Sequence, residues 1–444
     1  MISDPLILSV IIIVIMFAFL LSSIWIGVSL MLTGIVGMLL FDHNLPPVIS
    51  VYDKIGDLLA SSLYDALNSW SLAALPMFIL MGEILYKSSI STRLLNGLKP
   101  WLSYIPGGLL HVNVAACSLF AAVSGSSAAT TATVGKITLD ELKKRGYSKS
   151  IAMGSLAGAG TLGFLIPPSL IMIIYGVLAD TSIGKLFIAG IIPGLLLATL
   201  YSIYIMVVAK IDKSVEPEIK ETFSFKQKID SLKDLIPVFS LITLILGSIY
   251  GGLATPTEAA ALGVLGAIIL ALYFKSFSWD IFKTALLNSV KTSTMISFII
   301  AGAVFLSQVI GFLGIARAMS EFITGLGLSP LMLILLIGVM YIILGMILEA
   351  ISIVVMTLPI VLPIVVLAGF DPLWFGVFLV FMVEMAQITP PVGFSLFVIQ
   401  SISNEKIETI LKATFPFFIM MIITVMAITF YPEIVHYLPN QMIK

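Results

Sequence analysis

The chain has 444 residues, of which 59% are hydrophobic and 11% charged, with 23 Lys and Arg against 24 Asp and Glu. Soluble domains carry about 25% charged residues, so composition excludes a soluble enzyme or binding module and points to a polytopic helical membrane protein. The near-zero net charge argues against a nucleic-acid partner, and one cysteine, Cys117, leaves no internal disulfide framework or cysteine metal cluster, while the three histidines, His43, His111 and His436, lie far apart in sequence and read as interfacial or loop residues rather than a metal site.

Residues 6–22 and 25–41 read as the first two spans. The first follows Asp4 and lacks the basic start of a signal peptide, so it is read as transmembrane. Residues 42–68 mix Asp53, Lys54, Asp57 and Asp65 with apolar side chains, the pattern of an amphipathic segment at the interface. A span at 72–86 precedes a second interfacial arm, 87–104, with Arg93 and Lys99.

Pro106 to Gly135 has an unusual length. Residues 113–135 carry no charged side chain and flank a polar knot, Ser124-Gly125-Ser126-Ser127. One spanning helix needs about 20 residues, so the stretch is too long for one and too short for two. It reads as a re-entrant hairpin, which is tolerated at membrane depth only where it is buried in protein or lines a watery cavity. A basic loop follows, with Lys136, Lys143, Lys144, Arg145 and Lys149. Residues 151–179 are apolar but broken by Pro167-Pro168. Residues 186–209 form a continuous span, and 210–234 are polar enough to lie outside the bilayer.

The second half opens with a span at 235–250. In Thr255-Pro256-Thr257-Glu258, Thr255 reads as N-cap, Pro256 as the first helical residue and Glu258 as the closing member of a capping box. This starts a helix at 259–274. A span at 296–313 and an arm at 314–328, with Arg317 and Glu321, lead to residues 330–370, whose only charged residue is Glu349. That is a second hairpin-length stretch. Residues 373–401 are broken by Pro390-Pro391, and 415–430 form the last span.

The halves repeat. Pro167-Pro168, Gly146-Tyr147 and Pro193 recur 223 residues later as Pro390-Pro391, Gly369-Phe370 and Pro416, while Arg93 and Pro106 recur at 224 as Arg317 and Pro330. Ser126 maps onto Glu349. Basic residues accumulate in cytoplasmic loops. Five lie in Lys136–Lys149, and none in the equivalent loop near Asp371, so the repeat is inverted. With the first loop cytoplasmic, 210–234 and its six lysines also fall inside, and both termini fall outside. Inverted repeats with discontinuous helices near the midplane are a pattern of secondary transporters.

Two constellations stand out. Ser124 and Ser126 face the break from Gly160 to Ser169, where two prolines leave upstream carbonyls near Thr161 and Phe164 without helical donors. Hydroxyls and carbonyls form a hard oxygen shell suited to Na⁺; a proline kink healed by water or a hydroxyl is the structural alternative. The second set is Gly345, Glu349, Glu384 and Ala386 through Gly393, including Thr389. Carboxylates within apolar runs are expensive and point to function, with a structural hydrogen bond as the alternative. No His/Asp pair accompanies the serines, and no G-x-x-x-x-G-K-S/T loop is present, so neither a hydrolase nor an ATPase is indicated.

Ser124 through Ser127, Lys144 through Tyr147, Thr161 through Ser169, Thr181 through Phe187, Gly252 through Ala260, Gly345 with Glu349, and Glu384 through Gly393 together resemble the large membrane subunit of tripartite ATP-independent periplasmic (TRAP) transporters. The resemblance covers essentially the whole chain. It implies an all-α inverted-repeat elevator with two re-entrant hairpins and two discontinuous helices. It also implies import of organic acids such as C4-dicarboxylates or sialic acid, driven by two or more Na⁺, in a bacterial inner membrane. The implied partners are a small four-helix membrane subunit on a separate chain, a periplasmic substrate-binding protein and surrounding lipid. By motif position, one Na⁺ site would use Ser124, Ser126 and backbone at Thr161, Phe164 and Pro167. A second would use backbone at Gly345, Ala386 and Val392 with Thr389. Gly125, Ser127, Pro168, Glu349, Glu384 and Pro391 are the substrate or coupling candidates. Glu349 stands where Asp is commoner, and Ala386-Gln387 where Gly is usual. Residues 106–184 and 329–403 would move, while 1–105, 185–234, 235–328 and 404–444 would form scaffold. A standalone cation:carboxylate symporter of related fold is the alternative.

Overall fold

The computed structural model describes residues 4–41, 50–217, 223–391 and 393–442. Among them, eight helices are long and apolar enough to cross a membrane. The chain runs twice through one order of elements. In the first half, Pro5–Leu21, Ile26–Leu40, Val51–Leu67 and Ala74–Lys87 lead to the short arm Ile90–Leu102. Next come the hairpin Leu110–Ser124/Ser127–Lys144, the broken helix Lys149–Gly160, Leu162–Leu165 and Leu170–Leu178, and the long helix Ile183–Ile211. In the second half, Phe225–Tyr250, Pro256–Tyr273 and Trp279–Phe312 lead to the arm Ile315–Gly325. The hairpin Pro330–Gly345/Ala350–Leu367, the broken helix Pro372–Gln387 and Phe394–Ser403, and Ile407–Phe430 complete it. Five of these candidate spans separate the loops that follow the two hairpins: Lys149–Leu178, Ile183–Ile211, Phe225–Tyr250, Pro256–Tyr273 and Trp279–Phe312. Five is odd, so the loops lie on opposite faces and the repeat is inverted.

Local chemistry explains the boundaries. Thr255 and Glu258 form the full capping box, with the Glu258 carboxylate accepting the Thr255 N–H at 2.8 Å and the Thr255 hydroxyl accepting the Glu258 N–H at 3.3 Å. Ser224 and Gln227 form another. That cap starts the next helix at Phe225, ten residues before the expected span at 235. Residues 225–234 are thus helical, and they pack on the first arm. Arg93 pairs with Asp234 at 2.9 Å and lies 4.6 Å from the Phe274 ring, while Trp101 donates to Ser231 at 3.0 Å. The expected span 296–313 is the second half of a 34-residue helix, about 50 Å long; Lys283, Asn288 and Lys291 mask its first half in the sequence. The last span likewise starts at Ile407 rather than 415. Residues 42–49 of the expected interfacial segment lie outside the described residues. The remainder is helix Val51–Leu67.

Helix packing divides the molecule. Gly27 and Gly302 lie at the crossing of Ile26–Leu40 and Trp279–Phe312, where a Cβ on Gly302 would stand 2.6 Å from the Gly27 carbonyl oxygen. Small residues allow such backbone approach between membrane helices. The two broken helices share a different group of neighbours. Ile407–Phe430 packs on Lys149–Gly160 so closely that a Cβ on Gly154 would meet the Ala413 carbonyl oxygen. Phe417 sits edge-on to Tyr201 and Tyr204, with ring centroids at 5.3 and 5.2 Å. In Ile183–Ile211, a Cβ on Gly190 would stand 2.7 Å from the Leu165 carbonyl oxygen. Cys117 is fully buried in the outgoing limb of the first hairpin.

Candidate functional site

The first hairpin turns at the polar knot. Leu110–Ser124 ends on Gly125, whose φ of +61° favours a residue without Cβ. Ser126 then caps Ser127–Lys144, its hydroxyl accepting the Ala129 N–H at 3.5 Å. The Ser124 hydroxyl lies 2.8 Å from that of Thr130. Across from this tip, the first broken helix stops at Leu165, Ile166 is extended, and Ser169 caps the next segment. The Pro167-Pro168 and Pro390-Pro391 bonds are both cis. Prolines at 167 and 168 offer no N–H to the carbonyls of Gly163 and Phe164 four residues earlier.

Tip and break are in direct contact. A Cβ on Gly163 would fall 2.5 Å from Ser127 Cα and 2.6 Å from its nitrogen, and a Cβ on Gly125 would lie 2.9 Å from the Pro168 carbonyl oxygen. The Leu170 N–H donates to the Gly125 carbonyl at 3.4 Å. The segments bearing Ser124, Gly125, Ser126, Ser127, Thr161, Phe164, Pro167 and Pro168 therefore meet at one place. Thr161 itself is buried, with its hydroxyl donating to the Gly158 carbonyl at 2.6 Å.

The second half builds its counterpart. Leu344 and Gly345 close the first limb, and a Cβ on Gly345 would collide with that of Ala386 in the second broken helix. Glu349 caps Ala350–Leu367 and accepts the Ile351 N–H at 3.2 Å. Ser126 and Glu349, matched by the repeat, thus perform the same local task. The Thr389 hydroxyl donates to the Met385 carbonyl at 2.6 Å. Glu349, Pro390 and Pro391 are exposed at this tip, and Thr389 is half-buried. Val392 lies outside the described residues.

Glu384 belongs elsewhere than its sequence neighbours suggest. It is 1% exposed, and its carboxylate faces the first tip. The Ser127 hydroxyl stands 2.6 and 2.7 Å from its two oxygens, and the Phe164 N–H donates to Oε1 at 2.9 Å. Ser127 also lies 2.9 Å from the Gly160 carbonyl oxygen. Sequence reasoning missed three further residues near the breaks. Thr131, Tyr201 and Ser395 are fully buried; the hydroxyls of Thr131 and Ser395 have no hydrogen-bond partner among the described residues, and that of Tyr201 faces Thr161. Thr131 sits against Gly160, one turn beyond the knot, and Ser395 follows the second break by four residues. Tyr201 carried no signal, as it lies within an apolar helix.

An ion pair joins this region to the first arm. Lys99 lies 2.6 Å from Glu141, which Arg145 also meets at 2.8 Å. Burial pushes the Glu141 carboxyl up, but the contacts with Lys99 and Arg145 outweigh it and hold the group below the usual carboxylate range.

The family model described as "Tripartite ATP-independent periplasmic transporter, DctM component" matches residues 13–434. The chain is a member of the TRAP transporter large-permease family. It is 35% identical over 384 residues to the C4-dicarboxylate TRAP transporter large permease protein DctM of Pseudomonas aeruginosa, covering 86% of this chain and 89% of that protein. It is 34% identical to the ectoine/5-hydroxyectoine TRAP transporter large permease protein UehC of Ruegeria pomeroyi, covering 83% and 86% respectively. Among solved structures, the Alcanivorax borkumensis YdaH transporter superposes with a TM-score of 0.66 at 12% identity, covering 95% of this chain and 99% of that one. That likeness concerns the fold alone. This TRAP permease is accordingly a multi-pass membrane transport protein.

Proposed function

We propose that this TRAP permease is a Na⁺-coupled importer of organic acids that works by an elevator motion in a bacterial inner membrane. The observation that carries the proposal is the pairing, made twice, of a hairpin tip with a helix whose backbone is interrupted at a double proline. Carbonyls released by the prolines, together with the hydroxyls of Ser124, Ser126 and Thr389, offer the all-oxygen shell that a hard cation needs. The half-helix N-termini beside the tips point positive ends toward an anionic substrate. Na⁺ bound at the tips would order them and complete the substrate site, a coupling free energy between ligands. Ser124, Ser126 and the backbone of Thr161, Phe164 and Pro167 are assigned to one ion. Gly345, Ala386, Thr389 and Val392 are assigned to the other. Exposed Glu349, with Pro391, faces the space where substrate would lie.

Packing supports a moving body different from residues 106–184 and 329–403 alone. Ile183–Ile211 and Ile407–Phe430 touch the broken helices backbone to backbone at Gly190 and Gly154, so they travel with them. The scaffold is then formed by the described helices within 5–41, 50–102 and 225–325. With Lys136–Lys149 in the cytoplasm, both termini are periplasmic. A small membrane subunit and a periplasmic binding protein complete the system, and the binding protein selects which organic acid is delivered. Relatives named for a dicarboxylate and for ectoine fit that division of labour.

Uptake into proteoliposomes containing both partners tests the proposal. Transport should follow an imposed inward Na⁺ gradient, and transport indifferent to it refutes the coupling. Full uptake by this chain alone would instead establish a standalone symporter. Ser126→Ala should raise the Na⁺ concentration for half-maximal uptake while leaving the amount of folded protein unchanged. A variant that loses only expression would make the knot structural.

A further inference from the structure

We infer that Glu384 couples the two candidate cation sites, its helix contributing to the second while its carboxylate holds the first. This rests on the Na⁺ reading above. Ala386, two residues further along the same helix, packs against Gly345 and belongs to the second site. The Glu384 side chain points the other way, across the boundary between repeats. There it accepts from Ser127, the neighbour of Ser126, and from the N–H of Phe164, whose carbonyl is assigned to the first ion. One carboxylate thus ties the return limb of the first hairpin to the first break, at the place where Gly163 brings their backbones to van der Waals contact.

The link runs one way. At the repeat offset of 223, Glu384 corresponds to Thr161, but the Thr161 hydroxyl donates to Gly158 in its own helix at 2.6 Å and otherwise meets Met421 and Tyr201, none of them at the second break. Among the described residues, Thr161 therefore makes no equivalent contact with the second site. Ordering of the second break fixes the end of Pro372–Gln387, and through Glu384 it fixes the tip and carbonyls of the first. Two sites that bias one shared element are coupled in affinity, and the coupling is reciprocal. Glu384 acts as a positioning residue and needs no charge for this. A glutamine offers a carbonyl oxygen to the Phe164 N–H and an amide N–H to the Ser127 hydroxyl, which can then donate to Gly160.

The test is a Na⁺ titration of the purified permease with its small subunit, read by isothermal calorimetry and by tryptophan fluorescence. Wild type should bind Na⁺ with a Hill coefficient above one. Glu384→Ala should bring the coefficient to one and raise half-saturation about tenfold, whereas Glu384→Gln should keep the cooperativity and shift half-saturation by less than about threefold. Should Glu384→Ala fail to fold, Ser127→Ala, which removes one of the two contacts, must lower the Hill coefficient. Cooperative binding retained in Glu384→Ala or in Ser127→Ala overturns the inference alone. So does loss of Na⁺ binding in Glu384→Gln, which would make the charge itself a ligand. Wild type that binds no Na⁺ overturns the Na⁺ reading and the coupling with it.

Discussion

At single residues, the close approaches are the most sensitive points. The nearest neighbours of Gly163 are backbone, with Ser127 Cα, Ser127 N and the Ser126 carbonyl carbon between 2.5 and 2.8 Å from a would-be Cβ. Backbone cannot swing aside as a flexible side chain can, so Gly163→Ala should push the tip off the break. Uptake should fall about tenfold or more while the protein still assembles in the membrane, as measured by transport set against the yield of monodisperse protein. Ser395 presents the opposite case. A buried hydroxyl without a partner costs about 1–3 kcal/mol, so Ser395→Ala should leave the melting temperature in detergent unchanged or higher. A clear drop would mean that the hydroxyl has a partner in the apoprotein. The serine knot and the double prolines were legible because small polar residues and missing N–H donors are conspicuous in an apolar run. The role of Glu384 was not, since its partners lie 220 and 257 residues away in sequence. Its neighbours in the chain pointed to the second site, and only the packed structure turns its side chain toward the first.

Among elements, the repeat was readable from the prolines, and the hairpins, breaks and capped helix fell where it placed them. Helix starts were read less well. Polar first turns such as Phe225 to Asp234 lie against an arm rather than lipid, and hydropathy registers only the lipid-facing part. Which helices pack as one body was also hidden, because that grouping depends on backbone contact at Gly154 and Gly190 and not on any local pattern. Cross-linking checks the grouping. A Cβ on Gly158 would stand 2.7 Å from the Phe417 Cβ, closer than the roughly 3.5–4.5 Å of a disulfide, so joining them needs the two helices to part slightly; both lie in the proposed moving body. A disulfide between Gly158→Cys and Phe417→Cys should leave uptake near wild type. Lys99 and Glu141 belong to different bodies, so a short bifunctional thiol reagent joining Lys99→Cys to Glu141→Cys should arrest it, and reduction of a cleavable reagent should restore it. Arrest by the first link would place Ile407–Phe430 with the scaffold.

For the whole molecule, the odd number of crossings between equivalent loops fixes inversion but not which face is which. Orientation comes from the lysines of residues 136–149 and 210–234. It predicts that alkaline phosphatase fused after residue 444 is active in cells and that a fluorescent protein needing the cytoplasm is dark there. The reverse result would flip the topology and with it the direction in which each hairpin enters. The elevator proposal also demands that the arms stay level while the broken helices rise and fall, so the Lys99–Glu141 pair must open once per cycle.

Cys117 provides the means to watch this. The only thiol of the chain is sealed inside the first hairpin, out of reach of aqueous maleimides, so the natural protein already serves as a silent background. Spin labels or dyes on cysteines introduced in an arm and in Ile407–Phe430 would therefore report their separation without removal of the native cysteine. The height of the stroke could be read in ångströms on a chain otherwise unaltered.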